Sequence, residues 1–155
     1  MALIDESYRV RSWLLCDDIR IESNGKHLLI GVYSGIIKLR RPLPVTLPML
    51  SFRIQMDLQK VDYGAYQLRV IDPRKRLVAQ FRGLAQFARA DEPAVLICMT
   101  GPITLSSYGT HNVEFGMGGL QHPLGTFEVR AAQAEPTLGA THPDYALSAG
   151  VSRPH

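Results

Sequence analysis

Residues 49–58, MLSFRIQMDL, alternate apolar and polar side chains without a break. Leu50, Phe52, Ile54, Met56 and Leu58 fall on one face; Ser51, Arg53, Gln55 and Asp57 fall on the other. A period of two over this length fits a strand with one face in a core and one in water, because successive strand side chains point to opposite sides. The sheet that holds this strand must therefore be covered on one face.

The same signal recurs in shorter runs. SWLLCDDIRIES reads as a strand whose phase breaks at Asp17-Asp18, where a bulge is expected. Asn24-Gly25 is a hairpin signal, since both residues tolerate positive φ. HLLIGVYSGIIKL is expected to form one long second arm, with bends or close backbone approach at Gly31 and Gly35. Pro42, Pro44 and Pro48 make the next segment a loop. AYQLRVID and RKRLVAQFRGLAQF form a second hairpin around Asp72-Pro73, with a turn at Tyr63-Gly64; RGLAQFARADE could turn helical briefly, but Gly83 argues against anything long. PAVLICMTGPITL is a strand broken at Gly101-Pro102; SSYGTHNVEFGMGGL reads as a loop with a short strand around Val113 to Phe115; HPLGTFEVRAA is the last strand. No stretch sustains a period of 3.6. About seven or eight short strands with turn signals between them imply an all-β antiparallel sandwich. It is expected over residues 1–132, with a poorly structured tail over 133–155.

The chain has 155 residues, 46% hydrophobic and 20% charged, which suits one domain able to fill a core. Lys and Arg total 17 against 14 acids, a net charge of +3. The basic residues are scattered apart from Arg40-Arg41 and Arg74-Lys75-Arg76, so nucleic-acid binding is not expected. Cys16 and Cys98 sit in apolar runs with no further Cys or His at ligand spacing. They read as buried reduced thiols, and a bridge would require their strands to be neighbours. With no basic-then-apolar leader and no apolar run near ~20 residues, the expected location is the cytoplasm, without membrane insertion.

The run LLCDDIRIESNGKHLLIGVYSGIIKL resembles the opening of a group of small uncharacterised bacterial proteins, catalogued as a domain of unknown function. Leu15, Cys16, Asp17, Asp18, Gly25, Lys26, Ile30, Gly31, Val32 and Tyr33 carry the match, with the Pro42–Pro48 loop and YQLRVIDP. The resemblance covers most of the chain outside the tail. It implies a sandwich of Ig-like or C2-like type, and it carries no activity to transfer.

No catalytic, metal or cofactor motif stands out. Asp17-Asp18 could offer oxygens to calcium, but no Asp-x-Asp loop follows; hydrogen bonds to backbone amides, or pairing with Arg20 or Arg53, are expected instead. His111 and His122 flank a glycine-rich loop and read as surface or capping residues. Ser106, Ser107 and His111 lack a nucleophile elbow. The Gly116, Gly118 and Gly119 cluster lacks the Gly-Lys-Ser/Thr ending of a phosphate loop. Tyr63 and Tyr108, beside turn glycines, are the aromatics placed to meet a sugar. The expectation is a non-catalytic interaction module, needing no cofactor, that presents loops or a sheet edge to a protein partner or to its own copy. The alternative is a binder of carbohydrate or calcium. The candidate surface is Arg40, Arg41, Tyr63, Arg74, Lys75, Arg76, Tyr108, His111 and Gly118.

Overall fold

The computed structural model describes residues 8–59, 63–86, 91–119 and 121–133. Within them lie eleven strands and no helix: β1 (Tyr8–Ile21), β2 (His27–Tyr33), β3 (Ile36–Leu39), β4 (Val45–Leu47), β5 (Ser51–Leu58), β6 (Tyr63–Ile71), β7 (Leu77–Gln86), β8 (Ala94–Met99), β9 (Ile103–Leu105), β10 (Gly109–Met117) and β11 (His122–Ala131). They form a four-stranded sheet in the order β2-β1-β5-β8, a five-stranded sheet β3-β11-β10-β6-β7, and the small pair β4-β9. The alternation of residues 50–58 maps directly onto burial. Phe52, Ile54 and Met56 have no exposed surface, while Arg53, Gln55 and Asp57 are half-buried.

The inner faces of the two larger sheets share one core. Leu15, Phe52, Ile54 and Met56 of the first pack in the same cluster as Leu68, Val70, Val113, Phe115, Phe127 and Val129 of the second. Burying each such side chain contributes roughly 1.5–3 kcal/mol. Trp13 stacks on Phe52 with centroids 6.5 Å apart, and its indole lies against Gly125 of the opposite sheet, where a Cβ would meet ring atoms at 2.5–2.8 Å. Tyr8 meets Phe115 edge-on at 5.7 Å. Aromatic contacts therefore fasten one layer to the other.

The structure corrects the sequence reading at several points. The expected long arm 27–39 is two strands in two sheets, because the chain crosses between layers at Ser34-Gly35, with Gly35 at φ +87°. The expected loop around the glycine cluster contains β10, a nine-residue strand inside the five-stranded sheet. The sheet arrangement is mixed rather than antiparallel, since β3 runs parallel to β11 through Ile36↔Glu128 to Leu39↔Ala131. The register of β1 on β2 passes Asp17 and Asp18 without a shift; the irregularity in β1 lies at Val10/Ser12 against β5. Tyr63 opens β6 rather than marking a turn. Within residues 82–92, where the sequence allows a brief helical turn, β7 continues to Gln86, and residues 87–90 lie outside the described residues. Most of the expected tail, residues 134–155, also lies outside them.

Cys16 and Cys98 are both buried and free. They belong to β1 and β8, which β5 separates, so no bridge can form between them. Burial pushes the Cys98 thiol up to about 12. Burial, then the charges of Asp17 and Asp18, raises that of Cys16. Both side chains act as small protonated apolar groups.

Candidate interaction surfaces

The β1–β2 hairpin closes through Asn24-Gly25 as the sequence implies. Gly25 takes φ +80°, Glu22 N–H donates to the Lys26 carbonyl at 2.8 Å, and Lys26 N–H donates to Asn24 Oδ1 at 2.9 Å. Further down the ribbon the geometry is less ordinary. Cys16 and Ser51 are paired neighbours on the side of the sheet away from the core, yet both are fully buried. Arg53 Nε lies 3.3 Å from His27 Nδ1. Arg53 sits opposite Leu14 and His27 opposite Ile21, seven positions apart along β1, which is about 23 Å of straight strand. An arginine side chain cannot span that distance, so the ribbon folds back over the outer face of the four-stranded sheet. Ile19 of the ribbon is buried as well, outside the main core cluster.

The bend falls at Asp17 and Gly31. Gly31 has φ +65°, open to glycine at little cost. The Asp17 carboxylate occupies the space a Cβ at position 31 would need, and it accepts a hydrogen bond from the Tyr33 hydroxyl. Asp18 pairs with Arg20 at 3.0 Å, one of the arginine partners expected for this acid pair. Among the described residues no group of three or more His, Cys, Asp or Glu side chains gathers as a metal site.

The fold leaves one side of β2 bare. Leu28, Ile30 and Val32 alternate along it at 48%, 37% and 51% exposure, while His27, Leu29 and Tyr33 between them are half-buried. β2 is an edge strand, and HLLIGVY contains neither a charged residue nor a proline. Val32, Cys16, Ser51 and Met99 form one row across the sheet, exposed apolar at both ends. The sequence reading placed none of Leu28, Ile30 and Val32 on its candidate surface; the signal available was their uncharged period-two run.

The candidate residues named from the sequence divide between the two ends of the molecule. Arg40 and Arg41 follow β3, Arg74 to Arg76 form the β6–β7 turn, and Tyr108 precedes β10, all at one end of the five-stranded sheet. Gly118, whose N–H donates to the Ala65 carbonyl at 3.1 Å, is at the other end beside Tyr63, whose side chain lies outside the described residues. Arg76 is committed. The buried Asp72 carboxylate accepts its backbone N–H and its Nε, both at 2.8 Å, and lies 2.7 Å from Nη2. Ser107 Oγ receives Arg76 Nη2 at 3.0 Å and donates to Asp72 at 3.3 Å. Lys75 takes φ +64°, and its N–H donates to the Asp72 carbonyl at 3.0 Å.

His111 does not lie on the surface. It points inward from β10 with no exposed area, stacks on Phe127 at 5.1 Å, and has Nδ1 3.1 Å from the Gly109 carbonyl. It makes no hydrogen bond to Ser107, and its Nε2 has no partner among the described residues. Burial lowers its pKa below 6.5, against smaller upward pulls from the Gly109 carbonyl and Asp72. A histidine whose folded value is depressed leaves stability unchanged above its unfolded value of ~6.5, and costs stability as pH falls below it. The melting temperature should fall between pH 7 and pH 5, and His111→Phe should flatten that slope. An unchanged slope in the variant would assign the acid sensitivity elsewhere.

No curated protein matches the chain. A family model matches residues 11–130, from just before Trp13, which joins the two layers, to the end of β11, and so takes in the β2 edge, the buried Asp72 and the end that carries Arg40, Arg74 and Tyr108. On that match the chain belongs to DUF6941, a family of unknown function.

Proposed function

We propose that this domain is a non-catalytic, cytoplasmic interaction module that offers the bare side of β2 to a partner chain or to a second copy of itself. The observation that carries the reading is the exposed Leu28, Ile30, Val32 row on an uncharged edge strand. Edge strands present unpaired backbone groups and are ordinarily guarded by lysine, proline or a bulge. The other edges of the two larger sheets have such features: β3 carries Lys38, β7 carries Arg82, and β8 follows Asp91, Glu92 and Pro93. Apolar residues left together on an unguarded edge suit a surface that is covered in use. The two layers with function placed at edges and end turns also support an Ig-like or C2-like assignment.

The test is Ile30→Lys with Val32→Lys. Both positions are exposed, so the melting temperature should move little. Association should drop sharply, whether measured as self-association by light scattering or as recovery of a partner from the native lysate. A wild-type protein that stays monomeric and recovers nothing, or a double variant that associates as well as wild type, would sink the proposal.

A further inference from the structure

The runs Arg40-Arg41 and Arg74-Lys75-Arg76 are far apart in sequence but share one end of the five-stranded sheet. Lys38 is paired with Arg130 across β3 and β11. Val129 is paired with Gly109, which puts Tyr108 beside Arg130 across β11 and the start of β10. Pro73 packs on Gly109, with its Cγ 3.2 Å from where a Cβ there would stand, so Arg74 and Lys75 come next in the row. The order is therefore Lys38, Arg130, Tyr108, Arg74-Lys75, with Arg40 and Arg41 just past the end of β3. Ala132 N–H, donating to the Leu39 carbonyl at 2.8 Å, ties that corner down.

The acids at this end are already used. Asp72 is buried against Arg76, and Glu128 holds Arg130 through contacts of 2.6 and 2.7 Å. Lys38, Arg40, Arg41, Arg74 and Lys75 are exposed and have no acidic partner among the described residues. Five uncompensated cations therefore bracket Tyr108, which is 45% exposed. From β3 to the β6–β7 turn is three strand spacings, about 14 Å, the length of roughly four residues of extended chain.

We infer that this end binds an acidic, extended segment of a partner protein, about four or five residues long, laid across β3, β11, Tyr108 and the β6–β7 turn. The inference deepens the interaction-module reading by adding a second surface with its own partner chemistry. Length and charge favour a peptide over nucleic acid. Further along the outer face of the sheet Glu128 pairs with Arg130 and Glu114 with Arg69, so those acids neutralise cations that a phosphate backbone running on beyond the band would need. Single strands are held by stacking successive bases, and Tyr108 is the exposed aromatic here. Carboxylates bound to arginine and lysine at an exposed rim give modest affinity and a strong dependence on salt.

The full chain would be titrated into a fluorescent peptide of alternating aspartate and serine, with a lysine–serine peptide and a single-stranded oligonucleotide as comparators. The acidic peptide should bind at low salt, and raised salt should weaken it. Charge reversal in Arg40→Glu, Arg74→Glu and Lys75→Glu together should weaken it about tenfold or more. Arg76 is left alone because it holds Asp72. The milder set Arg40→Gln, Arg74→Gln and Lys75→Gln should weaken binding less, with the melting temperature unchanged. Ile30→Lys, on the other surface, should leave the peptide affinity intact whether or not the β2 reading survives. No binding at low salt, equal binding by the charge-reversed variant, or tighter binding of the oligonucleotide would each overturn the inference.

Discussion

Phe52→Ala is expected to destabilise the domain by about 3–5 kcal/mol, the usual cost of emptying a fully buried aromatic site. Phe52 has no exposed surface and stands in the middle of β5, between β1 and β8. Its ring is the platform on which Trp13 stacks, and Trp13 in turn lies against Gly125 of the other layer. Truncation therefore removes a packing partner from both sheets. A rigid indole wedged over a glycine has little room to collapse into the gap, which places the cost toward the upper end of the range. At roughly 2–4 °C per kcal/mol for a domain of this size, the melting temperature should fall by about 6–20 °C. Phe52→Leu fills much of the void and should recover more than half of the loss. A fall of only a degree or two for Phe52→Ala would mean that the layers are not joined through this contact.

That joint was half legible. The alternation from Leu50 to Leu58 states which residues of β5 face a core, because burial acts on every second side chain. Nothing local states what covers them. β5 pairs with β1, 35 residues earlier in the Cys16–Ser51 contact, and β3 pairs in parallel with β11 near the far end of the chain. Pairing of that kind is set by packing of whole layers and leaves no trace in a window of ten residues. β10 was hidden for a different reason. His111, Val113, Phe115 and Met117 do alternate inward, but one of the four is a histidine, and the outward Thr110, Asn112 and Glu114 sit among glycines. Desolvating a neutral imidazole over a phenyl ring is affordable in a way that a polarity count does not register. The crossing at Ser34-Gly35 was legible only as a bend at Gly35: both flanks are apolar, so nothing local says that the two strands belong to different sheets.

The candidate surfaces followed the same division. The basic runs were visible as residues, but their convergence depends on the order β3-β11-β10-β6-β7. The bare row on β2 could have been found from Leu28, Ile30 and Val32, which share a period of two in an uncharged strand. What the sequence could not show is that the hairpin folds back, so that Cys16 and Ser51 are fully buried on the outer face while Leu28, Ile30 and Val32 stay open.

The second large effect is expected at Asp72. It looks like an ordinary turn aspartate before a proline, yet its side chain is 2% exposed and gathers four contacts from Arg76 and Ser107. Asp72→Ala should cost about 2–4 kcal/mol, because it leaves the buried Ser107 hydroxyl and the Arg76 N–H short of an acceptor. The cost should stay below that of breaking a fully buried ion pair, since the Arg76 side chain is half exposed and can turn to water. Asp72→Asn keeps an acceptor for the Arg76 N–H and should lose less. Acidity gives the sharper test. Burial pushes the Asp72 carboxyl up, but the backbone N–H of Arg76, its guanidinium and the N–H of Arg74 together outweigh burial and hold it below 3.8. A carboxyl with a depressed folded value contributes stability above its unfolded value, and that contribution is lost as pH falls through the folded one. The gap between wild type and Asp72→Asn should therefore stay constant from pH 7 to about 4 and close below it. The His111 slope begins near pH 6.5, above the range in which the Asp72 gap starts to close. If the gap closed between pH 6 and 5 instead, the Asp72 carboxylate would not be the group that pins the β6–β7 turn.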